Sequence, residues 1–333
     1  MIPRILITGA TGALGPRIVN AFIHGGFSVS TFSIDPPQIG DFPSQVKIHI
    51  GDIVDRDAVR TAMDNIDIVI HLASLLHIDN PPYQDRKNME RVNVEGALNV
   101  TRAALLANVR RVVFFSTIAV YGDTQGKIVD ENSPPCPNTL YGQTKLEAER
   151  LILKAARSDR YPLGTVLRLG AAYGSRVKGN YARLLRALAR GRFLPVGDGL
   201  NRRTLIYDQD VAQAAVLAAE HPKASGRIFN VTDGSFHSIQ QIIEAICLAL
   251  GRKPPRYSPP AAPVRFIAAF AEDTAKLLRM RPLIRRDMID KYMEDVAVDS
   301  SRIRQELGFV PSYDLISGWK ETVQEMRRSG DLK

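Results

Sequence analysis

Pro3-Arg4-Ile5-Leu6-Ile7-Thr8-Gly9-Ala10-Thr11-Gly12-Ala13-Leu14-Gly15 is the stretch on which the rest of the chain hangs. Ile5 to Ile7 make a short apolar run that reads as a buried parallel strand, and a helix pattern begins at about Leu14. Between them, Gly9, Gly12 and Gly15 stand at a G-x-x-G-x-x-G spacing. Such glycines let the backbone turn tightly and approach a pyrophosphate, and the helix start offers N–H groups and a partial positive charge. Taken alone, the spacing also fits a tight turn with no ligand, so the downstream residues decide.

Outward from this loop, the pattern alternates. A helix from Arg17 to His24 ends at Gly25-Gly26, and a second strand runs from Phe27 to Ile34. Further strands are predicted at Val46–Ile50, Asp67–Ser74, Val112–Ser116 and Leu167–Gly174, with helices at Asp57–Met63 and Val92–Ala107. Strands apolar on both faces, alternating with helices, predict an α/β fold: a Rossmann-type, doubly wound parallel sheet with ligands at the carboxyl ends of its strands. From about Gly174 the rhythm changes to helices at Asn180–Ala189, Val211–Glu220, Ile239–Leu250, Asp299–Leu307 and Ile316–Arg328, with a proline-rich connection from Arg252 to Pro263. We therefore expect a dinucleotide-binding domain over residues 1–173 and a smaller, mostly helical substrate lobe over 174–333, with a chain that can cross between them more than once.

The composition is ordinary for a globular protein, with 45% hydrophobic and 24% charged residues in 333. No apolar stretch reaches the roughly eighteen residues of a membrane span; Phe266–Leu278 holds Glu272, Asp273 and Lys276 and reads as an amphipathic helix. No export signal is visible at the start, and the two cysteines, Cys136 and Cys247, lack a metal-type spacing, so the expected setting is cytoplasmic, without bound metal. The net charge of +9 is spread, clustering at Arg183–Arg192, Arg202–Arg203 and Arg279–Arg286 without any nucleic-acid-binding motif, and favours an anionic small molecule over nucleic acid.

Two positions bear on which dinucleotide. The acid expected about twenty residues past the loop falls at Asp35, just beyond Ser33. Asp35 would repel a 2′-phosphate and no arginine follows Ser33, so the reading leans to NAD and leaves NADP open. Chemistry enters with Ser116-Thr117 at the end of the fifth strand and with Tyr141-Gly142-Gln143-Thr144-Lys145. Tyr141 and Lys145 share a helix face. A phenol near pKa 10 is a poor base at neutral pH, and a neighbouring ammonium is expected to bring it down. Thr117 supplies a hydroxyl for a substrate oxygen. Of the histidines, His71 is expected to be a packed strand residue, His77 a loop residue either without a role or bordering the substrate pocket, and His237 without a role.

With these motifs in place, the chain resembles the extended short-chain dehydrogenase/reductase family, in its NAD(P)-dependent nucleotide-sugar epimerase and 4-ketoreductase group. The resemblance runs from Thr8 to about Val323 and includes Gly51-Asp52-Ile53, His71-Leu72-Ala73-Ser74, Gly197-Asp198-Gly199, Asp210-Val211 and Asp299-Ser300-Ser301-Arg302. It implies a cofactor held by Gly9, Thr11, Gly12, Ala13, Leu14 and Gly15, with Ser33 and Asp35 at the ribose and Asp52 and Ile53 flanking the adenine. It further implies that Leu72, Ala73, Ser74, Asn93 and Ser116 line the cofactor channel, and that Thr117, Tyr141 and Lys145 are catalytic. Tyr141 and Lys145 also count among the cofactor contacts, Lys145 through the nicotinamide ribose. For the substrate, a nucleoside-diphosphate sugar, it implies Asn180 and Arg203 at the diphosphate and the Leu194–Val196 segment on the base. A homodimer through the Val92–Ala107 and Tyr141–Ala156 helices is implied in the same way, with no membrane partner.

Departures narrow the reaction. Related dehydratases carry an Asp-Glu pair where this chain has Ile118 and Ala119, which cannot move protons. That leaves epimerisation or keto reduction, at C4 of a hexose. Ala171 stands where the epimerases usually have Asn, and the Gly191-Arg192 and Asn201–Thr204 segments look closer to 4-ketoreductases of surface-polysaccharide pathways. The alternatives are a hydroxysteroid- or flavonoid-type reductase and a dinucleotide-sensing protein without turnover.

Overall fold

The computed structural model describes residues 2–76, 83–277 and 286–332. Seven strands form a parallel sheet: β1 Arg4–Thr8, β2 Ser28–Ser33, β3 Lys47–Ile50, β4 Ile68–His71, β5 Arg111–Thr117, β6 Gly164–Leu169 and β7 Ile228–Val231. Their order is β7-β6-β5-β4-β1-β2-β3. From β1 the chain first adds strands on one side and then crosses to the other, which opens a crevice beyond the carboxyl ends of β1 and β4. β1, β4 and β6 are buried almost end to end, as double-sided cover requires. One helical layer sets Gly15–His24 and Asp208–Glu220 on the sheet, and the other sets Arg56–Ala62, Gly96–Leu106 and Leu140–Lys154.

A separate apolar cluster holds the small lobe. It joins the helices Asn180–Ala189, Ile239–Leu250 and Leu315–Arg328 around Tyr173, Tyr207 and Trp319. Tyr173 and Trp319 stack with centroids 4.4 Å apart.

Several boundaries differ from expectation for visible reasons. The predicted sixth strand is two strands: β6 stays in the sheet, whereas Ala171–Tyr173 pairs with Leu205–Tyr207. The switch occurs at Gly170, whose N–H donates to the Val231 carbonyl while the next N–H, of Ala171, donates to Thr204. β7 and the Asp208–Glu220 helix lie beyond residue 174 yet belong to the sheet layers, so the chain returns to the first domain after entering the lobe. The predicted Val92–Ala107 helix is a π-helical turn at Arg91–Glu95 followed by Gly96–Leu106. The proline-rich connection stops at Pro260, because Pro263 fits the first turn of the helix Ala261–Leu277, where its missing N–H costs nothing.

Candidate active site

The glycine loop is shaped by steric necessity. Gly9 sits at φ +71°, and a Cβ there would lie 2.7 Å from the Ala73 backbone. A Cβ on Gly15 would lie 1.8 Å from the Ala10 carbonyl oxygen, so the helix start presses directly on the loop. Gly12 differs: its Cβ would meet only the Gly9 carbonyl, at 3.1 Å, and the residue is exposed. The helix Gly15–His24 has no side-chain cap and no acid in its first turn. An open glycine in front of an uncapped helix N-terminus is a slot for an anion, which fits the pyrophosphate of a dinucleotide.

Neighbouring strand ends complete this half. The Thr11 N–H reaches the Ser33 hydroxyl at 3.3 Å, and the Gly9 N–H donates to Phe32 at 2.7 Å. Leu72, Ala73 and Ser74 follow β4 half-buried, with the Leu72 N–H on the Thr8 carbonyl. Asp35 is exposed just past β2. Asp52 caps its own turn through the Val54 N–H at 3.1 Å. Ile53 is buried in the core against Gly96, and its carbonyl accepts from the Asn99 side chain at 3.3 Å.

The Leu140–Lys154 helix brings the second half into place. Gly142 touches the turn after β5, since a Cβ there would lie 2.7 Å from the Ala119 carbonyl oxygen. That turn, Ile118–Tyr121, is capped by Thr117, whose Oγ1 accepts the Ala119 N–H at 3.2 Å and keeps its own proton to donate. Tyr141 is half-buried at this junction. Lys145, one turn on, is buried with its Nζ 4.5 Å above the Phe114 ring.

The expected Tyr–Lys relation is corrected here. Burial pushes Tyr141 up to about 12 and Lys145 down to about 7, the latter partly offset by the Glu149 carboxylate. Desolvation acts on both groups, and for Tyr141 it favours the neutral phenol. His71 behaves as the strand pattern suggested: fully buried, held at about 3 by burial, with its Nδ1 2.7 Å from the Thr8 hydroxyl. His237 faces Asp233 at 2.6 Å. His77 lies outside the described residues.

Two members of the implied channel turn inward. Ser116 donates to Glu149 rather than facing the crevice. Asn93, in the π-helical turn, accepts the Leu75 N–H at 2.8 Å and donates to the Leu75 carbonyl and to Thr144. It thereby ties the loop after β4 to the Tyr141 helix.

Sequence reasoning missed the ion pair beneath this junction. Glu149 receives Arg168 through Nε at 3.0 Å and Nη2 at 2.6 Å, both side chains being buried. Arg168 lies 4.9 Å over the Tyr121 ring, and Tyr121 donates to Asn230 at 2.8 Å. The available signal was the four-residue repeat Tyr141, Lys145, Glu149, which puts an acid on a buried helix face.

The implied substrate residues are less united. Asn180 opens its helix exposed, Leu194 is exposed and Val196 half-buried. Arg203 donates from one guanidinium nitrogen, Nη2, to the carbonyls of Lys291, at 2.6 Å, and Tyr292, at 3.1 Å. Arg202 beside it grips Asp295. Among the described residues there is no His, Cys, Asp and Glu cluster suited to a metal, and no helix long and apolar enough to cross a membrane.

Residues 5–232 match the model of the NAD dependent epimerase/dehydratase family. The chain belongs to that family. Membership makes it an enzyme with NAD as cofactor, and the glycine loop agrees. It is 26% identical over 328 residues to a UDP-glucose 4-epimerase of Vibrio cholerae, covering 96% of this chain and 94% of that protein. It is 32% identical over 279 residues to a 3-diazoavenalumate denitrifying reductase of Streptomyces sp, covering 80% and 88%. Among solved structures, MoeE5 in complex with UDP-glucose and NAD superposes with a TM-score of 0.74 at 27% identity, covering 98% of this chain and 99% of that one. The fold is thus shared with that structure over nearly the whole chain.

Proposed function

We propose that this protein oxidises or reduces a ring carbon, C4, of a nucleoside-diphosphate hexose, as an epimerase or a 4-ketoreductase. The observation that carries this reading is the junction of the Tyr141–Lys145 helix with the Thr117 turn, linked to the glycine loop through the loop after β4. Bound NAD supplies the hydride chemistry. Tyr141 moves the proton at the substrate oxygen through its hydroxyl, and its resting neutral phenol suits donation to a ketone. Thr117 orients that oxygen with its remaining proton. Lys145 stabilises the phenolate left behind. Likeness to the Vibrio cholerae epimerase and to MoeE5, solved with UDP-glucose, supports a nucleotide sugar as substrate. A homodimer through the Gly96–Leu106 and Leu140–Lys154 helices belongs to the same reading, and sedimentation velocity checks it.

Tyr141→Phe tests the assignment. It is expected to leave NAD affinity near normal and to lower turnover of the active nucleotide sugar by about two orders of magnitude or more. Near-full activity would sink it.

A second reading is favoured by one observation. One nitrogen of Arg203, Nη2, already donates to two backbone carbonyls, and Ala171 offers no amide, which reduces the donors left for a diphosphate. A ketoreductase acting on a substrate without nucleotide, in line with the Streptomyces reductase, would use the same Tyr141 and Lys145. Unchanged affinity for every nucleotide sugar in Arg203→Ala favours this second reading.

A further inference from the structure

The helix Ala261–Leu277 carries apolar side chains on two faces, and one of those faces is turned outward. Its inner stripe passes through Ala261, Val264 and Ala268, of which Ala268 is buried and the other two half-buried. Phe266, Ile267 and Phe270 project elsewhere and are 75%, 66% and 70% exposed. Single exposed apolar side chains are common on soluble proteins, but three large ones within five residues of one helix mark an interaction surface.

The surrounding charge selects the partner. Among the described residues from Arg252 to Lys291 the sequence holds seven basic and four acidic residues, a net charge of +3. Lys253 and Arg256, just before the helix, are exposed. The acids of the helix, Glu272 and Asp273, each have an interaction partner, and Asp290 is held by Arg265 at 2.5 Å. A second copy of this chain would bring one cationic segment against another and be repelled. An anionic bilayer surface offers what both features need, an apolar boundary layer beneath a negative potential.

We infer that Ala261–Leu277 is a docking helix that lays Phe266, Ile267 and Phe270 into the interfacial layer of an anionic membrane. This revises the expectation of no membrane partner: the helix lies on the bilayer without crossing it. The inference goes beyond the proposed reaction and does not depend on it. It also gives the bilayer a place relative to the site, because the helix start is tied to the Leu194–Gly199 loop. The Gly197 N–H donates to the Pro259 carbonyl at 2.9 Å, and the Ser258 hydroxyl donates to the Gly197 carbonyl at 2.6 Å.

The test is co-sedimentation of the full chain with vesicles of phosphatidylcholine alone and of phosphatidylcholine mixed with phosphatidylglycerol. Binding is expected to the mixed vesicles only, to fall with added salt, and to drop about tenfold or more in Phe266→Ser/Phe270→Ser. As a second readout, the Phe270→Trp variant is expected to shift its emission to the blue on the mixed vesicles. The native Trp319 is 1% exposed and contributes a constant background. If the double variant melts early, this second readout decides. Absence of binding, equal binding by an intact double variant, or no blue shift from Phe270→Trp overturns the proposal. So does a wild-type oligomer, formed without vesicles, that the double variant dissolves.

Discussion

Lys145 is an ammonium group kept where charge is disfavoured. Burial holds it at about 7, and the nearest compensation is the Glu149 carboxylate one turn further along the helix. Glu149 is in turn fixed by the fork of Arg168 and by the Ser116 hydroxyl, so its charge cannot swing away. The sign of its influence follows directly: a carboxylate favours the charged lysine, and its removal lowers the lysine pKa further. Activity that needs the ammonium is present below that pKa and lost as pH rises through it. Glu149→Gln is therefore expected to move the alkaline limb of kcat/KM to lower pH by about half a unit or more. Because the bare Arg168 left behind also costs stability, the measurement is the position of the limb and not the rate alone; an unmoved limb would show that Glu149 serves packing only.

The strand–loop–helix unit from Arg4 to His24 makes a sharper claim about which glycine does what. Gly15 meets backbone on its inner side, so in Gly15→Ala the loop must open to admit a methyl group. We expect that variant to lose NAD binding and to melt earlier. Gly12 meets only the Gly9 carbonyl and otherwise faces outward. Gly12→Ala is expected to fold with little change in melting temperature while binding NAD about tenfold or more weakly, a difference of roughly 1.4 kcal/mol read by titration calorimetry. Equal losses in both variants would contradict the division between a packing glycine and a ligand-facing one. The π-helical turn Arg91–Glu95 is the other informative element. Its displaced backbone presents Asn93 to both Leu75 and Thr144, a link that a regular helix would not set at the same point.

Across the whole molecule, the two lobes meet at a half-buried charge cluster around the buried Asp208. Arg17, in the first turn after the glycine loop, faces Asp208 at 3.5 Å and Glu325 of the last helix, and Ser175 donates to Glu325 at 2.8 Å. Burial raises Asp208 to about 6 despite Arg17. The folded state thus keeps the Asp208 proton between about pH 4 and 6 while the unfolded chain has released it, so this group's contribution to stability falls as pH rises through that window. Relative to wild type, Asp208→Asn should gain stability from pH 4 to pH 7 by on the order of 2–3 kcal/mol, on top of a pH-independent offset from the substitution itself. Urea unfolding at the two pH values checks it, and a difference that does not change with pH refutes it. Legibility in the sequence follows the range of the interactions involved. The parallel sheet, the loop with Gly9, Gly12 and Gly15, and the sharing of one helix face by Tyr141 and Lys145 were written in local periodicity, because apolar alternation and four-residue spacing act within a single element. The strand switch at Gly170, the inward turn of Ser116, the bonds from Arg203 to carbonyls 88 and 89 residues away and the Arg168–Glu149 pair were decided only by tertiary structure. Each depends on which distant groups share a space closed to water, and so does the resting protonation of Tyr141 and Lys145: spacing set them side by side, and burial determined their charge.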